Sequence, residues 1–275
     1  MHPRLALVAG GGDLPALILE ACRSAGRPCF VMALEGHADP ALVVGAPHAW
    51  IRLGAAASAV DRLKAEGVEE VVLAGAVRRP SVAELRPDLR TLRFLTGVAR
   101  HAAGDDALLG AVVRAIEAEG FRVVAAESIV RDVALPVGLA GRHPVPDGAH
   151  DDIARGMAVV RALGTVDVGQ AAVVQQGIVL AVEAAEGTDG VLARSGSLRR
   201  AGRGGVLVKM AKPGQDRRVD RPTIGRGTIE AAAAAGLCGI AAEAGATFVI
   251  ERAATVADAD AAGLFLLGVR PDREG

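Results

Sequence analysis

Carboxylates, a hydroxyl group and a glycine are concentrated between residues 182 and 190, where the sequence reads V-E-A-A-E-G-T-D-G. The cluster contains Glu183, Glu186, Gly187, Thr188 and Asp189 and lies between a predicted strand and a predicted helix. Ligands of open α/β sheets bind at the carboxyl ends of strands, and hard oxygen ligands suit Mg²⁺ that keeps several waters. The pattern predicts either a magnesium and substrate site or a helix start capped by Thr188 or Asp189.

A second stretch combines lysines, an acid and a hydroxyl-bearing turn. Lys209 ends a predicted strand and Lys212 follows it in a loop, so both could contact a diphosphate as point charges. Asp220 stands among arginines, an arrangement that keeps a carboxylate ionised. Thr223 and Ile224 precede a predicted helix and can offer backbone donors. The alternative interpretation is a solvated, charged loop.

A glycine-rich turn follows the first predicted strand, at residues 5–9. Gly11 and Gly12 would let backbone N–H groups approach a phosphate at the start of a helix, with Asp13 as the N-cap. The turn is not a dinucleotide fingerprint, because Pro15 stands where G-x-G-x-x-G has its last glycine. The alternative is a βα turn that binds no ligand.

Two adjacent acids, Asp105 and Asp106, begin another predicted helix. They can cap it and interact with its dipole. In the functional alternative they contact a substrate hydroxyl or a metal-bound water.

The elements that must position these residues alternate along the first half of the chain. We predict strands at 5–9, 29–34, 71–74 and 121–126, and helices at 14–25, 55–66 and 105–119. Such alternation is typical of a parallel sheet with right-handed crossovers. Residues 135–148 hold three prolines and three glycines and are predicted to be a linker. The prediction is therefore a Rossmann-like parallel-sheet domain over 1–134 and a second, mixed α/β domain over 149–275.

The second half is less regular. Strands are predicted at 171–175, 178–182, 206–210 and 246–250, and helices at 151–164, 229–235 and 253–262. Gln176 and Gly177 predict a tight hairpin turn between the first two strands.

The composition excludes several classes of protein. Basic and acidic residues nearly balance at 31 and 32, and aromatic residues make up only 2%, which argues against nucleic-acid binding. The three cysteines form no C-x-x-C pair, so we expect reduced thiols in a cytoplasmic protein. The longest uncharged apolar stretch, at 231–242, is shorter than the roughly 20 residues of a membrane-spanning helix.

Five motifs in order along the chain resemble the UDP-2,3-diacylglucosamine pyrophosphatase family that is unrelated to calcineurin-like phosphoesterases. They are L-A-L-V-A-G-G-G at 5–12, G-D-D at 104–106, E-A-A-E-G-T-D at 183–189, V-D-R-P-T-I-G at 219–225 and G-L-F-L-L-G at 263–268. The E-x-x-E-G-T-D and V-D-x-P-T-I-G motifs are the specific ones. Arg78 and Arg79 depart from the usual residues at that place.

The resemblance implies a Mg²⁺-dependent hydrolase of lipid A biosynthesis that yields UMP and 2,3-diacylglucosamine 1-phosphate (lipid X). It implies that water attacks the phosphorus nearer the sugar, that the lipid lies between the two domains, and that Asp220 is catalytic. It also implies a nucleotide-binding-type domain over 1–134 and a catalytic domain over 149–275. With it we assign Glu183 and Lys209 to catalysis as well, and Glu186 and Asp220 to the metal. The residues assigned to the substrate are Gly11, Gly12, Asp105, Asp106, Gly187, Thr188, Asp189, Lys212, Thr223 and Ile224. We also expect a homodimer and transient contact with the inner face of the inner membrane.

Two other functions remain open at this stage. The glycine turn is compatible with a nucleotide-dependent oxidoreductase that has a degenerate Rossmann turn. A non-catalytic lipid-binding protein would show a similar apolar pocket but would not need Asp220, Lys209 or Glu183 beside the headgroup.

Overall fold

The computed structural model describes residues 2–77 and 105–271, which form two compact units. The first comprises the chain up to Arg131 and also Asp216–Asp220, and the second comprises Asp132–Gln215 and the chain from Arg221 onward. Leu135, the first residue of the predicted linker, is buried in the core of the second unit. The predicted domain boundaries and hinge stay predictions. Arg78 and Arg79 lie outside the described residues.

The first unit contains a parallel sheet with strand order β3-β2-β1-β4-β5. Its described elements are β1 (Leu5–Ala9), α1 (Leu14–Ser24), β2 (Cys29–Leu34), β3 (His48–Ile51), α2 (Ala56–Ala65), β4 (Glu70–Ala74), α3 (Asp105–Ala118) and β5 (Arg122–Val123). Short 3-10 turns occupy Pro40–Val43 and Ala126–Ser128. Parallel strands are covered on both faces, so they have nearly continuous apolar sequences, as L-A-L-V-A and C-F-V-M-A-L show.

The predicted fold class is confirmed for this unit, with two differences in detail. Strand β3 was not predicted, because its sequence H-A-W-I is short and only partly buried. The strand predicted at 121–126 is only two residues long, since the chain turns at Ala126–Ser128.

The second unit contains a mixed sheet with order β6-β13-β11-β9-β7-β8 and a small parallel pair, β10-β12. Its strands are β6 (Gly138–Leu139), β7 (Ala171–Gln175), β8 (Ile178–Val182), β9 (Val206–Lys209), β10 (Thr223–Ile224), β11 (Gly239–Glu243), β12 (Phe248–Val249) and β13 (Phe265–Val269). Its helices are α4 (Ala149–Thr165), α5 (Gly187–Ser197), α6 (Arg226–Ala234) and α7 (Arg252–Ala261). The predicted hairpin is confirmed, with β7 and β8 antiparallel around Gln176 and Gly177.

Alternate residues of the central strands face two different helical layers. Val208 and its neighbours on one face pack with Ile153 and Val160 of α4. Leu207 on the other face packs in a cluster with residues of α5, α6 and α7. Gly156 permits the close approach of α4, because a Cβ there would lie 2.4 Å from a methyl group of Val208. The unit is therefore a mixed α/β domain, as predicted, with helices on both faces of its sheet.

Strands β11 and β13 were missed by the sequence analysis. Their sequences G-I-A-A-E and F-L-L-G-V are short apolar runs, which periodicity cannot assign to a strand or a helix. The strand predicted at 246–250 is reduced to the two residues Phe248–Val249.

Candidate functional site

Three buried charged side chains lie at one edge of the six-stranded sheet. Strands β8, β9 and β11 run in the same direction, since β7 is antiparallel to β8 and β9 and β11 is parallel to β9. Glu183 directly follows β8, Lys209 ends β9 and Glu243 ends β11. These residues are 6%, 6% and 5% exposed, respectively. Buried charges at the carboxyl edge of a sheet require partners and are placed where ligands bind.

Hydrogen bonds join two of these charges through one hydroxyl group. The Thr188 hydroxyl donates to Glu183 Oε1 at 2.9 Å, and the Lys209 ammonium donates to Thr188 Oγ1 at 3.0 Å. The ammonium also donates to the Thr223 carbonyl oxygen at 2.9 Å, and the backbone N–H of Gln170 donates to Glu183 Oε2 at 3.0 Å. We call Gln170, Glu183, Thr188, Lys209 and Thr223 the edge cluster. The structure thus brings together four residues that the sequence analysis selected.

The start of helix α5 decides where Thr188 points. The helix begins at Gly187, whose φ of 73° is in the left-handed region that favours glycine, and Glu186 is the N-cap residue. Thr188 therefore lies in the first turn, and its hydroxyl contacts Glu183 instead of capping the helix. The alternative prediction of Thr188 or Asp189 as N-cap is wrong. Asp189 is exposed in the first turn, where it interacts favourably with the helix dipole.

Glu186, predicted to bind a metal, is ion-paired with Arg194 on the surface of α5. The same guanidinium donates to the Val182 carbonyl oxygen. Within residues 2–77 and 105–271, no group of three or more His, Cys, Asp or Glu is arranged to hold a metal ion. Of the two carboxylates in the E-x-x-E motif, Glu183 thus accepts from Thr188 in the edge cluster, whereas Glu186 is ion-paired with Arg194.

Lys212, predicted to contact a diphosphate, is ion-paired with Asp167 in the loop before β7. Both side chains are largely buried. Its backbone N–H donates to Gln215 Oε1 at 3.2 Å. A Cβ at Gly164 would lie 2.8 Å from Pro213, so the Lys212 loop packs closely on the end of α4. The Lys212 contacts with Asp167 and Gln215 stabilise this loop.

Asp220 ends a short segment, Asp216–Asp220, that belongs to the first unit. Its backbone N–H donates to the Asp216 carbonyl oxygen at 3.1 Å. Hydrogen bonds from Arg218 hold the pKa of the Asp216 carboxyl below its ordinary value. Asp220 is half-buried and precedes Thr223 by three residues in the chain.

The glycine turn after β1 has a packing role. The N–H of Gly11 donates to the Ala76 carbonyl oxygen and Ala76 donates back, each at 2.8 Å. A Cβ at Gly10 would lie 2.6 Å from the same oxygen. Gly12 has a φ of 84°, and Asp13 is the N-cap residue of α1, as predicted, but its side chain makes no capping hydrogen bond. Phosphate binding by Gly11 and Gly12 stays a prediction, with the Gly11 amide already bonded to Ala76.

The remaining predicted residues are placed as follows. Helix α3 begins at Asp105, as predicted, but the side chains of Asp105 and Asp106 lie outside the described part of the chain. Ile224 is fully buried, and its carbonyl oxygen accepts from the N–H of Ile250 at 2.9 Å. Thr223 contributes a carbonyl acceptor to the edge cluster, whereas donation to a ligand by the Thr223 and Ile224 N–H groups stays a prediction.

Sequence reasoning missed Glu243 and Gln170. Glu243 Oε2 accepts from the N–H of Ala211 at 3.1 Å and so fixes the turn that follows Lys209. Gln170 Oε1 is buried and has no hydrogen-bond partner among the described residues. Glu243 directly follows the apolar residues of a strand, as Glu183 does, and this position at a strand end is the signal that could have identified it.

A cavity of about 430 Å³ lies in the first unit at the amino ends of β4 and β5. It is lined by Glu70, whose buried carboxylate is paired with Arg27 and Arg122. Since ligands of parallel sheets bind at the carboxyl ends, this cavity is at the opposite edge from the one where the fold favours a site.

Comparison with known proteins assigns a family. A model of the LpxI N-terminal domain matches residues 4–133, and one of the LpxI C-terminal domain matches residues 136–267. The UDP-2,3-diacylglucosamine pyrophosphatase LpxI of Caulobacter vibrioides is 45% identical over 276 aligned residues, covering 98% of each chain.

A solved leucoanthocyanidin reductase–NADPH complex from Vitis vinifera is 14% identical, with a TM-score of 0.29, over 54% of this chain and 41% of that one. A likeness this weak supports no conclusion. The two domain models together span most of the sequence, and the predicted resemblance is confirmed. The chain therefore belongs to the LpxI family.

Proposed function

We propose that this enzyme hydrolyses the pyrophosphate bond of UDP-2,3-diacylglucosamine, as a step of lipid A synthesis. The observation that carries the proposal is the 45% identity, over 98% of both chains, to a protein named for that activity. The edge cluster supports it, because a buried ammonium and a carboxylate at the carboxyl edge of a sheet suit a site that handles phosphate. The products are UMP and 2,3-diacylglucosamine 1-phosphate.

We assign the neutralisation of the diphosphate to Lys209. Two oxygens, from Thr188 and Thr223, orient its ammonium group. Preoriented charge of this kind stabilises the negative charge that grows on phosphoryl oxygens and needs little reorganisation during the reaction. Glu183 and Asp220 are the carboxylates that we assign to orienting the attacking water.

Magnesium is part of the proposal. Because the described residues include no group of three or more His, Cys, Asp or Glu arranged to hold a metal, we propose an ion held by one or two carboxylates together with substrate phosphates, which is the usual mode for Mg²⁺. Asp220 is the carboxylate that we assign to such an ion, and Glu186 would have to leave Arg194 to join it. When bound, Mg²⁺ supplies further neutralisation of the diphosphate charge.

We place the attack at the phosphorus nearer the sugar. A bond forms from the water oxygen to that phosphorus, the bond to the bridging oxygen breaks, and UMP leaves with that oxygen. Hydrolysis in ¹⁸O-labelled water tests this, since the label must enter the sugar 1-phosphate. Label in UMP would mean attack at the other phosphorus.

We also propose transient contact with the inner face of the inner membrane from the cytoplasm. No helix among the described residues is long and apolar enough to span a membrane. Val166 and Val168, 67% and 45% exposed, flank Asp167 in the loop before β7, at the same sheet edge as the edge cluster. Exposed valines beside a lipid-handling site suit contact with a bilayer. Replacing both with Asp should weaken co-sedimentation with anionic vesicles, and unchanged sedimentation would remove this loop from the contact.

We also propose a homodimer, and light scattering tests this oligomeric state.

The activity itself is tested by turnover of UDP-2,3-diacylglucosamine with Mg²⁺ and with EDTA. UMP release that requires Mg²⁺ supports both the reaction and the cofactor. Substrate binding without UMP release would favour a lipid-binding protein, and micromolar binding of NADPH would favour an oxidoreductase.

A further inference from the structure

The Thr188 hydroxyl has no hydrogen left for a substrate. A lysine ammonium carries only donors, so Thr188 Oγ1 accepts in its 3.0 Å contact with Lys209. The single hydroxyl hydrogen is then directed to Glu183 Oε1, 2.9 Å away. Phosphate oxygens are recognised by donors, and the only side-chain donor of Thr188 is already used within the protein.

The same hydroxyl connects separate elements of the second unit. Thr188 lies in the first turn of α5, Glu183 follows β8 and Lys209 ends β9. Glu183 is held on its other oxygen by the Gln170 N–H, and Lys209 by the Thr223 carbonyl. The position of the Lys209 ammonium relative to the Glu183 carboxylate therefore depends on the hydroxyl between them.

From this geometry we propose that Thr188 is a positioning residue: its hydroxyl sets the Lys209 ammonium and the Glu183 carboxylate in the arrangement that catalysis requires, and it does not bind the diphosphate. Only the kinetic consequence of this inference rests on the proposed function. A misplacement of about 1 Å in a catalytic group can cost about 10²-fold in rate. Loss of the hydroxyl should thus lower kcat and leave KM nearly unchanged.

The test compares Thr188→Val, which keeps the shape but not the hydroxyl, with Thr188→Ser, which keeps the hydroxyl. We expect kcat to fall about 10- to 100-fold in Thr188→Val, with KM within about threefold, and Thr188→Ser to recover most of the loss. The matched control is Thr255→Val, because Thr255 is a buried threonine whose hydroxyl donates to the Ile250 carbonyl oxygen at 2.6 Å. That control should lower Tm but leave kcat unchanged.

A second measurement is independent of turnover. In protein labelled with ¹⁵N-lysine, the Nζ signal of Lys209 is identified by its absence in Lys209→Arg. Its hydrogen exchange should be several-fold faster in Thr188→Val than in the unsubstituted protein or Thr188→Ser. Absence of turnover in the unsubstituted protein would contradict the proposed function but leave this measurement valid. Unchanged exchange in Thr188→Val, a rise in KM alone, or a Thr188→Ser variant as defective as the valine variant would overturn the positioning role.

Discussion

The guanidinium of Arg218 donates to both carboxylate oxygens of Asp216, at 3.0 and 2.8 Å. The Arg218 N–H donates to the same carboxylate at 3.1 Å, and the N–H groups of Val219 and Asp220 donate to the Asp216 carbonyl oxygen. The Asp216 side chain and backbone therefore define the turn that presents Asp220. Arg218 is also ion-paired with Glu117 of α3, at 2.7 Å.

Replacement of Asp216 by Asn should make stability less dependent on pH. The pKa of Asp216 is lowered in the folded state by Arg218, so its stabilisation is present above the unfolded value of about 3.9 and is lost as the pH falls through the folded value. The original protein should be more stable than Asp216→Asn at pH 7 by no more than about 1 kcal/mol, because the pair is partly exposed. Urea unfolding at pH 7 and pH 3 measures this difference. A difference in stability as large at pH 3 as at pH 7 would contradict the ionic interpretation.

Replacement of Asp220 by Ala should abolish most turnover. Loss of a positioned acid or base typically costs about 10²–10⁴-fold in rate, whereas a half-buried carboxylate contributes little packing. We expect the Tm of the variant to stay within a few degrees of the Tm of the unsubstituted protein. Substrate binding should be retained, because a negative charge near the diphosphate is removed. Glu230→Ala, at an exposed position on α6, is the control and should keep full turnover. Near-normal turnover by Asp220→Ala would exclude its catalytic role.

Lys209 and Lys212 should differ in their effect on activity. Lys209→Gln removes the ammonium from the edge cluster and should lower kcat by about 10²-fold, as removal of a charge-stabilising donor does. Lys212 is ion-paired with Asp167, so Lys212→Gln and Asp167→Asn should have similar effects on stability, and the double variant should be no worse than either one. Steady-state kinetics of the four variants measures the effects on activity, and thermal unfolding measures the effects on stability. If Lys212→Gln alone raises KM strongly while Asp167→Asn does not, Lys212 contacts the substrate directly.

Alanine at Gly10 and at Gly227 should shift stability in opposite directions. A Cβ at Gly10 would lie 2.6 Å from a backbone oxygen, so Gly10→Ala should cost about 1–3 kcal/mol. A Cβ at Gly227 meets nothing within 4 Å, and the residue is in helix α6, where alanine is favoured over glycine by about 0.5–1 kcal/mol. Urea unfolding measures both changes. Equal stability of the two variants would mean that the turn after β1 relaxes around the added methyl group.

The sequence predicted the local elements well where short-range signals agree. The runs at 5–9, 29–34 and 171–182 are strands because apolar residues continue or alternate up to a glycine turn, and the order of elements along the chain indicates a parallel sheet in the first unit. The same reasoning placed Glu183 and Lys209 at strand ends. It failed for β11, because an alanine-rich run has no distinct periodicity.

The sequence alone also indicated the family, since its motifs combine residue types in fixed local spacing. The tertiary structure decided which polar groups contact one another. Within one motif, Glu183 contacts Thr188 in the buried edge cluster while Glu186 is paired with Arg194 on the surface. Spacing along the chain does not distinguish these two outcomes, because the partners are supplied by the strand order and by the start of α5. The Gly11 amide likewise bonds to Ala76, far along the chain, because β1 and β4 are neighbours in the sheet. Periodicity tells which face a residue occupies, whereas only the packed sheet determines the group opposite it.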